Sequence, residues 1–186
     1  MCTAPAFSAG MRSGRLATLT AYRAVKGVTV TDLRRHAPSA RHVGIDEVPF
    51  VINPVVGARM RVLHASAADN LYVVHGFMPA GLEVQTHHHT GPVLGLTLSG
   101  AWGYRENDFM NRAGSYLYEP LDSVHTLFVP ADNTEETELW TAVYGDTEYL
   151  DENGDVTHVS NWKAMLQLYY EGCEEAGLPR PDRILL

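Results

Sequence analysis

Three consecutive histidines, His87, His88 and His89, are the residues of this chain best suited to chemistry. Side chains alternate faces along an extended strand, so His87 and His89 share one face and His88 takes the other. A shared ion can therefore be gripped by the outer pair but not by all three. A further imidazole, His125, opens the apolar run Thr126-Leu127-Phe128-Val129 after a Pro120-Leu121-Asp122-Ser123 turn. Neutral imidazole suits iron, zinc, copper and nickel, and three of them from two strands form a three-sided cap with room for exogenous ligands. A lone histidine is usually just a polar strand residue. Two at i and i+2 with a third after a distant turn are expected to form a metal site rather than a metal-free barrel.

Strands must hold these rings in place. Leu82, Val84 and Thr86 alternate with Glu83 and Gln85, which predicts a strand running into the histidines, and an aromatic β-prone run from Tyr116 to Glu119 leads to the turn before His125. Further strands are expected over 58–64, 71–78, 93–99, 101–105 and 138–144, the last apolar on both faces and so central. A hairpin over 148–158 turns at Asn153-Gly154. Many short strands with little helix between them argue for an antiparallel barrel or jelly roll. The period then changes: Trp162, Met165, Leu166, Tyr169, Cys173 and Ala176 make one helical stripe after a Ser160 cap, ending at Gly177 and Pro179. The expected organisation is an N-terminal arm over 1–42, a barrel over 43–159, and a helix and tail over 160–186 packed on the barrel or a partner.

The spacing resembles the cupin superfamily. Its first motif is glycine, five residues, His-x-His, three or four residues, glutamate, six residues, glycine; Gly81, His87, His89 and Gly100 match, while Val93 stands in the glutamate slot. In the second motif Gly114, Pro120 and His125 match, Asp122 replaces a glycine, and Val129 replaces the asparagine. Thirteen residues, 101–113, separate the two. Jointly the motifs are a strong signal; either alone is weak. The resemblance implies an all-β, single-domain double-stranded β-helix. The missing glutamate and the runs 90–100 and 114–120 look like a three-histidine subgroup, acetylacetone dioxygenase and 2,4'-dihydroxyacetophenone dioxygenase.

That subgroup implies iron(II), with zinc or nickel as other ions the site could hold, and oxygen-dependent cleavage of a carbon–carbon bond. Its arginine and glutamate near the metal entrance would fall on Arg105 and Glu119. Spacing along one strand puts Glu119 on the same face as His125 but about two strand repeats away, so it is expected outside the coordination sphere, paired with Arg105 as a gate or simply as a surface salt bridge. An ion held only by neutral imidazoles keeps its double charge and favours an anionic, chelating oxygen donor. An enolised β-diketone or an α-hydroxyketone is such a donor, and holding it beside dioxygen makes their reaction local. The expected partners are a small ketone or its enolate and dioxygen. A zinc hydrolase or lyase and a non-catalytic metal-binding sensor are the alternatives. Trp102, Tyr104, Phe109, Tyr116 and Tyr118 are candidates to line the pocket, half of them turned outward by alternation. His64 or His75 would face it only if a register shifts by one.

Composition sets the outer bounds. At 186 residues the chain is long enough to bury about 70% of its unfolded surface in one domain. A formal charge of −8 excludes nucleic acid as an expected partner. No apolar run approaches the roughly 18 residues that cross a bilayer, so no membrane partner is expected. Cys2 and Cys173 lie too far apart in sequence to suggest a disulfide framework, which fits a reducing cytoplasm. Up to Arg41 there are seven basic residues and one acid, Asp32. Such an opening has the composition of an organellar transit peptide, but an ordered arm or an upstream start is the favoured reading, with a short helix over 16–25 and a turn or helix over 31–36. A basic arm on an acidic body suits contact with a second subunit, in a homodimer or homotetramer, and equally suits a solvated tail.

Overall fold

The computed structural model describes residues 38–186, and the expected elements over 16–25 and 31–36 lie outside them. The described strands are β1 (Val51–Ile52), β2 (Arg59–Ser66), β3 (Leu71–Met78), β4 (His87–His89), β5 (Val93–Ser99), β6 (Ala101–Tyr104), β7 (Met110–Arg112), β8 (Tyr116–Glu119), β9 (Val124–His125), β10 (Leu127–Phe128), β11 (Thr137–Tyr144), β12 (Thr147–Leu150) and β13 (Val156–Ser160), followed by helix α1 (Trp162–Glu175). They form a six-stranded sheet β1-β2-β3-β11-β5-β8, a three-stranded sheet β10-β6-β7 and a four-stranded sheet β13-β12-β4-β9. Every strand pairing within them is antiparallel. This is the cupin-like jelly roll.

Because β11 carries apolar residues on both faces, it can bury both, and it lies between β3 and β5 as its composition predicts. Val93, Leu139 and Val143 face the barrel interior, joined by Tyr72, Trp102 and Tyr104. On the opposite face Leu71, Val73 and Ala142 are buried with Trp140 and Leu94 beside them. Gly100 turns β5 into β6 at φ +69°, a left-handed conformation in which a Cβ would also meet Thr137 Oγ1 at 2.6 Å.

Two strand expectations need correction. Leu82–Thr86 is not a regular strand, although it bonds to the 127–129 segment through Val84 N to Leu127 O, Gly81 N to Val129 O and Val129 N to Leu82 O. Three-residue β7 went unpredicted, since its sequence, Met-Asn-Arg, carries no alternation.

Helix α1 packs on β1, β2 and β3 and on the β13 edge. Its stripe is as expected from Trp162 to Cys173, whereas Ala176 is an exposed C-cap beyond the helix: Tyr169 and Cys173 are fully buried against Val48, Val51, Met60 and Val62, and the Tyr169 hydroxyl donates to Pro49 O at 2.6 Å. The cap is Asn161 rather than Ser160, its side-chain oxygen accepting from Lys163 N and Ala164 N at 3.1 Å. At the other end Leu178 N reaches Cys173 O and Gly177 N reaches Glu174 O, which closes the last turn in a Schellman arrangement.

Candidate metal centre

Short strand β4 lies between β12 and β9, and its register decides which side chains converge. Tyr149 pairs with His158 and with His87, and His87 pairs with His125. Directly opposed residues share a face, so these four rings form a row across the four-stranded sheet. Tyr149 stacks on His158 at 4.1 Å and leans on His87 at 5.6 Å. The His87 and His125 rings are 4.8 Å apart, His89 lies 4.9 Å from His87 and 5.2 Å from His125, and all three are buried. Their ligating nitrogens lie within 4.8 Å of one another.

The second ring nitrogens of His87 and His89 have partners. His87 Nδ1 is 2.8 Å from Gln85 O, so its N–H donates there and leaves Nε2 free to ligate. His89 Nδ1 is 3.4 Å from Thr147 Oγ1. Burial lowers the affinity of His87 for protons and holds His89 at about 4, so both are neutral ligands near pH 7. His88 points the other way, between Glu148 at 2.9 Å and Asp122 at 3.3 Å, as alternation requires. Asp122 stands where the motif has glycine and takes φ +67°, which aspartate tolerates better than most residues.

Glu119 and Arg105 part company here. Glu119 is not on the strand of His125: it ends β8, and the turn at 120–123 folds the chain back before β9. Its buried carboxylate reaches the histidines, with Oε2 3.1 Å from His89 Nε2 and 3.2 Å from His125 Nε2. The Tyr104 hydroxyl donates to Oε1, and the Tyr104 ring stacks on His125 at 3.9 Å. Burial pushes the Glu119 carboxyl up, but its contacts with His125 and His89 outweigh that and hold it below the ordinary range. Burial, together with the Glu119 charge, raises the Tyr104 phenol, which stays protonated and donating. Arg105 is more than half exposed, bonds Glu83 at 2.5 Å, and lies over the Phe128 ring at 4.1 Å. The expected Arg105–Glu119 gate is not formed.

A cavity of 130 Å³ adjoins the histidines, lined by Tyr72, Trp102, Tyr104, Leu139, Val143 and Tyr149 among others. It is smaller than the roughly 300–1,000 Å³ that drug-sized ligands occupy. Trp102 and Tyr104 are inside as expected, whereas Phe109, Tyr116 and Tyr118 are exposed. Tyr72 and Tyr149 were missed, because only the register brings them to the histidines. A larger groove of 410 Å³ runs between α1, β13 and Glu83–Gln85, and Tyr149 lines both spaces. His75 lies in neither, held by Arg61 at 3.2 Å and Glu138 at 2.7 Å.

Residues 38–148, more than half of the chain, match the ChrR cupin-like domain family. The chain belongs to that family. Among solved structures, this ChrR-type cupin is similar to an RmlC-like cupin protein from Ralstonia eutropha JMP134, with 25% identity, TM-score 0.73, and coverage of 80% of this chain and 95% of the other. A cupin-like protein of unknown function from the same organism is 26% identical, with TM-score 0.69 over 76% and 90% of the two chains. An acetylacetone dioxygenase from Acinetobacter johnsonii shares the fold at 19% identity, TM-score 0.62, over 73% and 93%. No curated protein matches the sequence. Among the described residues no helix is long and apolar enough to cross a membrane.

The lowered histidine pKa values make the metal-free cupin acid-sensitive. As pH falls below the ordinary 6.5, the unfolded chain gains protons that folded His89 refuses until about 4. Stability present above 6.5 is therefore lost progressively across that window. The melting temperature of the metal-free protein is expected to fall steadily between pH 7 and pH 4.5; a flat profile would contradict neutral, buried imidazoles.

Proposed function

We propose that this cupin is a non-haem iron(II) dioxygenase that cleaves a carbon–carbon bond of a β-diketone or an α-hydroxyketone. The observation that carries the reading is the convergence of His87, His89 and His125 beside a small cavity of mixed polar and apolar lining. When bound, iron would supply a Lewis acid for an anionic oxygen donor and the redox chemistry that dioxygen needs. The three imidazoles hold it. Leu139, Val143 and Trp102 exclude water, while Thr141 and Tyr149 offer polar groups that can orient a small ketone. Tyr104 keeps the Glu119 carboxylate oriented, so negative charge stays beside the histidines whether or not substrate is present.

The shared fold with an acetylacetone dioxygenase supports this reading at the level of fold alone. The same reading takes the protein to be cytoplasmic and a homodimer or homotetramer; the exposed Tyr116, Tyr118, Leu96 and Leu98 on neighbouring strands β8 and β5 support an assembly. The family match favours a second reading, a metal-holding module without turnover.

Metal-stripped protein reloaded with iron(II) should consume dioxygen in step with acetylacetone or a dihydroxyacetophenone in an oxygen electrode. Turnover under strict anaerobiosis with zinc would select a hydrolase or lyase instead. Absence of turnover with iron, zinc or nickel would select the binding module.

A further inference from the structure

We infer that Glu119 is itself a metal ligand, so that the centre comprises three histidines and one glutamate delivered from a neighbouring strand. This rests on metal binding by the three histidines. The Glu119 Oε2 atom stands 3.1 Å and 3.2 Å from two ligating nitrogens, His89 Nε2 and His125 Nε2. Adjacent ligands on a common ion with bonds of about 2.1 Å lie about 3.0 Å apart in octahedral and about 3.4 Å in tetrahedral geometry. The observed spacings fall between the two.

These contacts are close, but neither has the N–H···O alignment of a good hydrogen bond. Oε2 and His125 Nε2 are both buried, and neither has a hydrogen-bond partner. A buried carboxylate oxygen without a donor is costly, by about 1–3 kcal/mol or more for a charged group. A cation between them would satisfy both atoms at once. Oε1 accepts from Tyr104, whereas Oε2 has no donor and faces the two ring nitrogens.

Register explains how the carboxylate comes to be there. Val93, which stands where a glutamate would complete the first histidine motif, is the direct cross-strand partner of Glu119 in the β5–β8 ladder. Both are buried and both line the same cavity. A carboxylate absent from one strand is thus supplied from directly opposite. The charge account changes with it. Three neutral imidazoles leave a divalent ion at +2, and one carboxylate reduces that to +1, which a single enolate anion neutralises.

Cobalt(II) titration of the metal-free wild type, Glu119→Gln and Glu119→Ala proteins tests this, read by visible d–d absorption with circular dichroism as the folding check. Wild type should bind one cobalt per chain, and both variants should bind more weakly, by at least about tenfold, with displaced band positions. Affinity alone does not decide, because losing an outer-shell partner also costs about 10–100-fold; the bands do. A Glu119→Gln spectrum identical to wild type would overturn the assignment and leave a three-histidine centre. Wild type that binds no cobalt would overturn the metal site itself. Should the variants not fold, infrared difference spectra of wild type with and without cobalt decide: a shifted carboxylate stretch supports ligation by Glu119, and unchanged carboxylate bands refute it.

Discussion

His125→Ala is expected to lower metal affinity more than about 100-fold and to reduce iron-dependent oxygen uptake to background. Outer-shell partners of metal ligands are each worth about 10–100-fold, and a direct ligand is worth more. The ring of His125 is buried, stacked on Tyr104 and paired with His87 across the ladder, so no exposed histidine can take its place. The variant should still fold. His125 sits on a two-residue strand, and the apolar clusters formed by Val62 and Tyr169 and by Met78 and Leu139 do not include it. Equilibrium dialysis against zinc and iron(II), beside circular dichroism, measures both. Metal content equal to wild type in a folded His125→Ala protein would remove this residue from the centre.

The histidines were legible because their signal is local. An i, i+2 pair on an extended backbone must share a face whatever surrounds it, and the same rule sends His88 outward. Strands β3 and β5 matched their expected bounds because each is flanked by turn residues, and the α1 stripe was legible because the period changes abruptly after 160. What could not be read depends on strands meeting across the fold. Glu119 and His125 are six apart in sequence, which on one strand would separate them widely; the turn at 120–123 places them in different sheets and returns the carboxylate to the imidazoles. Tyr149 reaches His87 only through the β12–β4 register, and Arg105 turned to Glu83 because the 82–86 segment runs beside it. The helix cap was displaced by one position because Ser160 and Asn161 are both good caps, and only the backbone direction chooses between them.

The packing beneath the centre carries the second large effect. Trp102 is 1% exposed, donates its indole N–H to Thr97 Oγ1 at 2.9 Å, and meets the Tyr104 ring edge-on at 5.4 Å. Tyr104 in turn stacks on His125 and donates to Glu119. Trp102→Ala should therefore cost about 3–5 kcal/mol, as large-to-small changes of buried aromatic residues do. At roughly 2–4 °C per kcal/mol for a domain of this size, the melting temperature should fall by about 6–20 °C. Metal affinity should fall too, because a cavity beside Tyr104 frees the ring that orients both His125 and Glu119. Trp102→Phe separates the two contributions: it retains an aromatic edge for Tyr104 but leaves buried Thr97 Oγ1 without its donor, a loss of about 1–3 kcal/mol. Differential scanning calorimetry and a zinc titration of both variants provide the comparison. If Trp102→Ala melts within about 2 °C of wild type, the indole does not support the barrel, and the chain of contacts from it to the metal centre is broken at its first link.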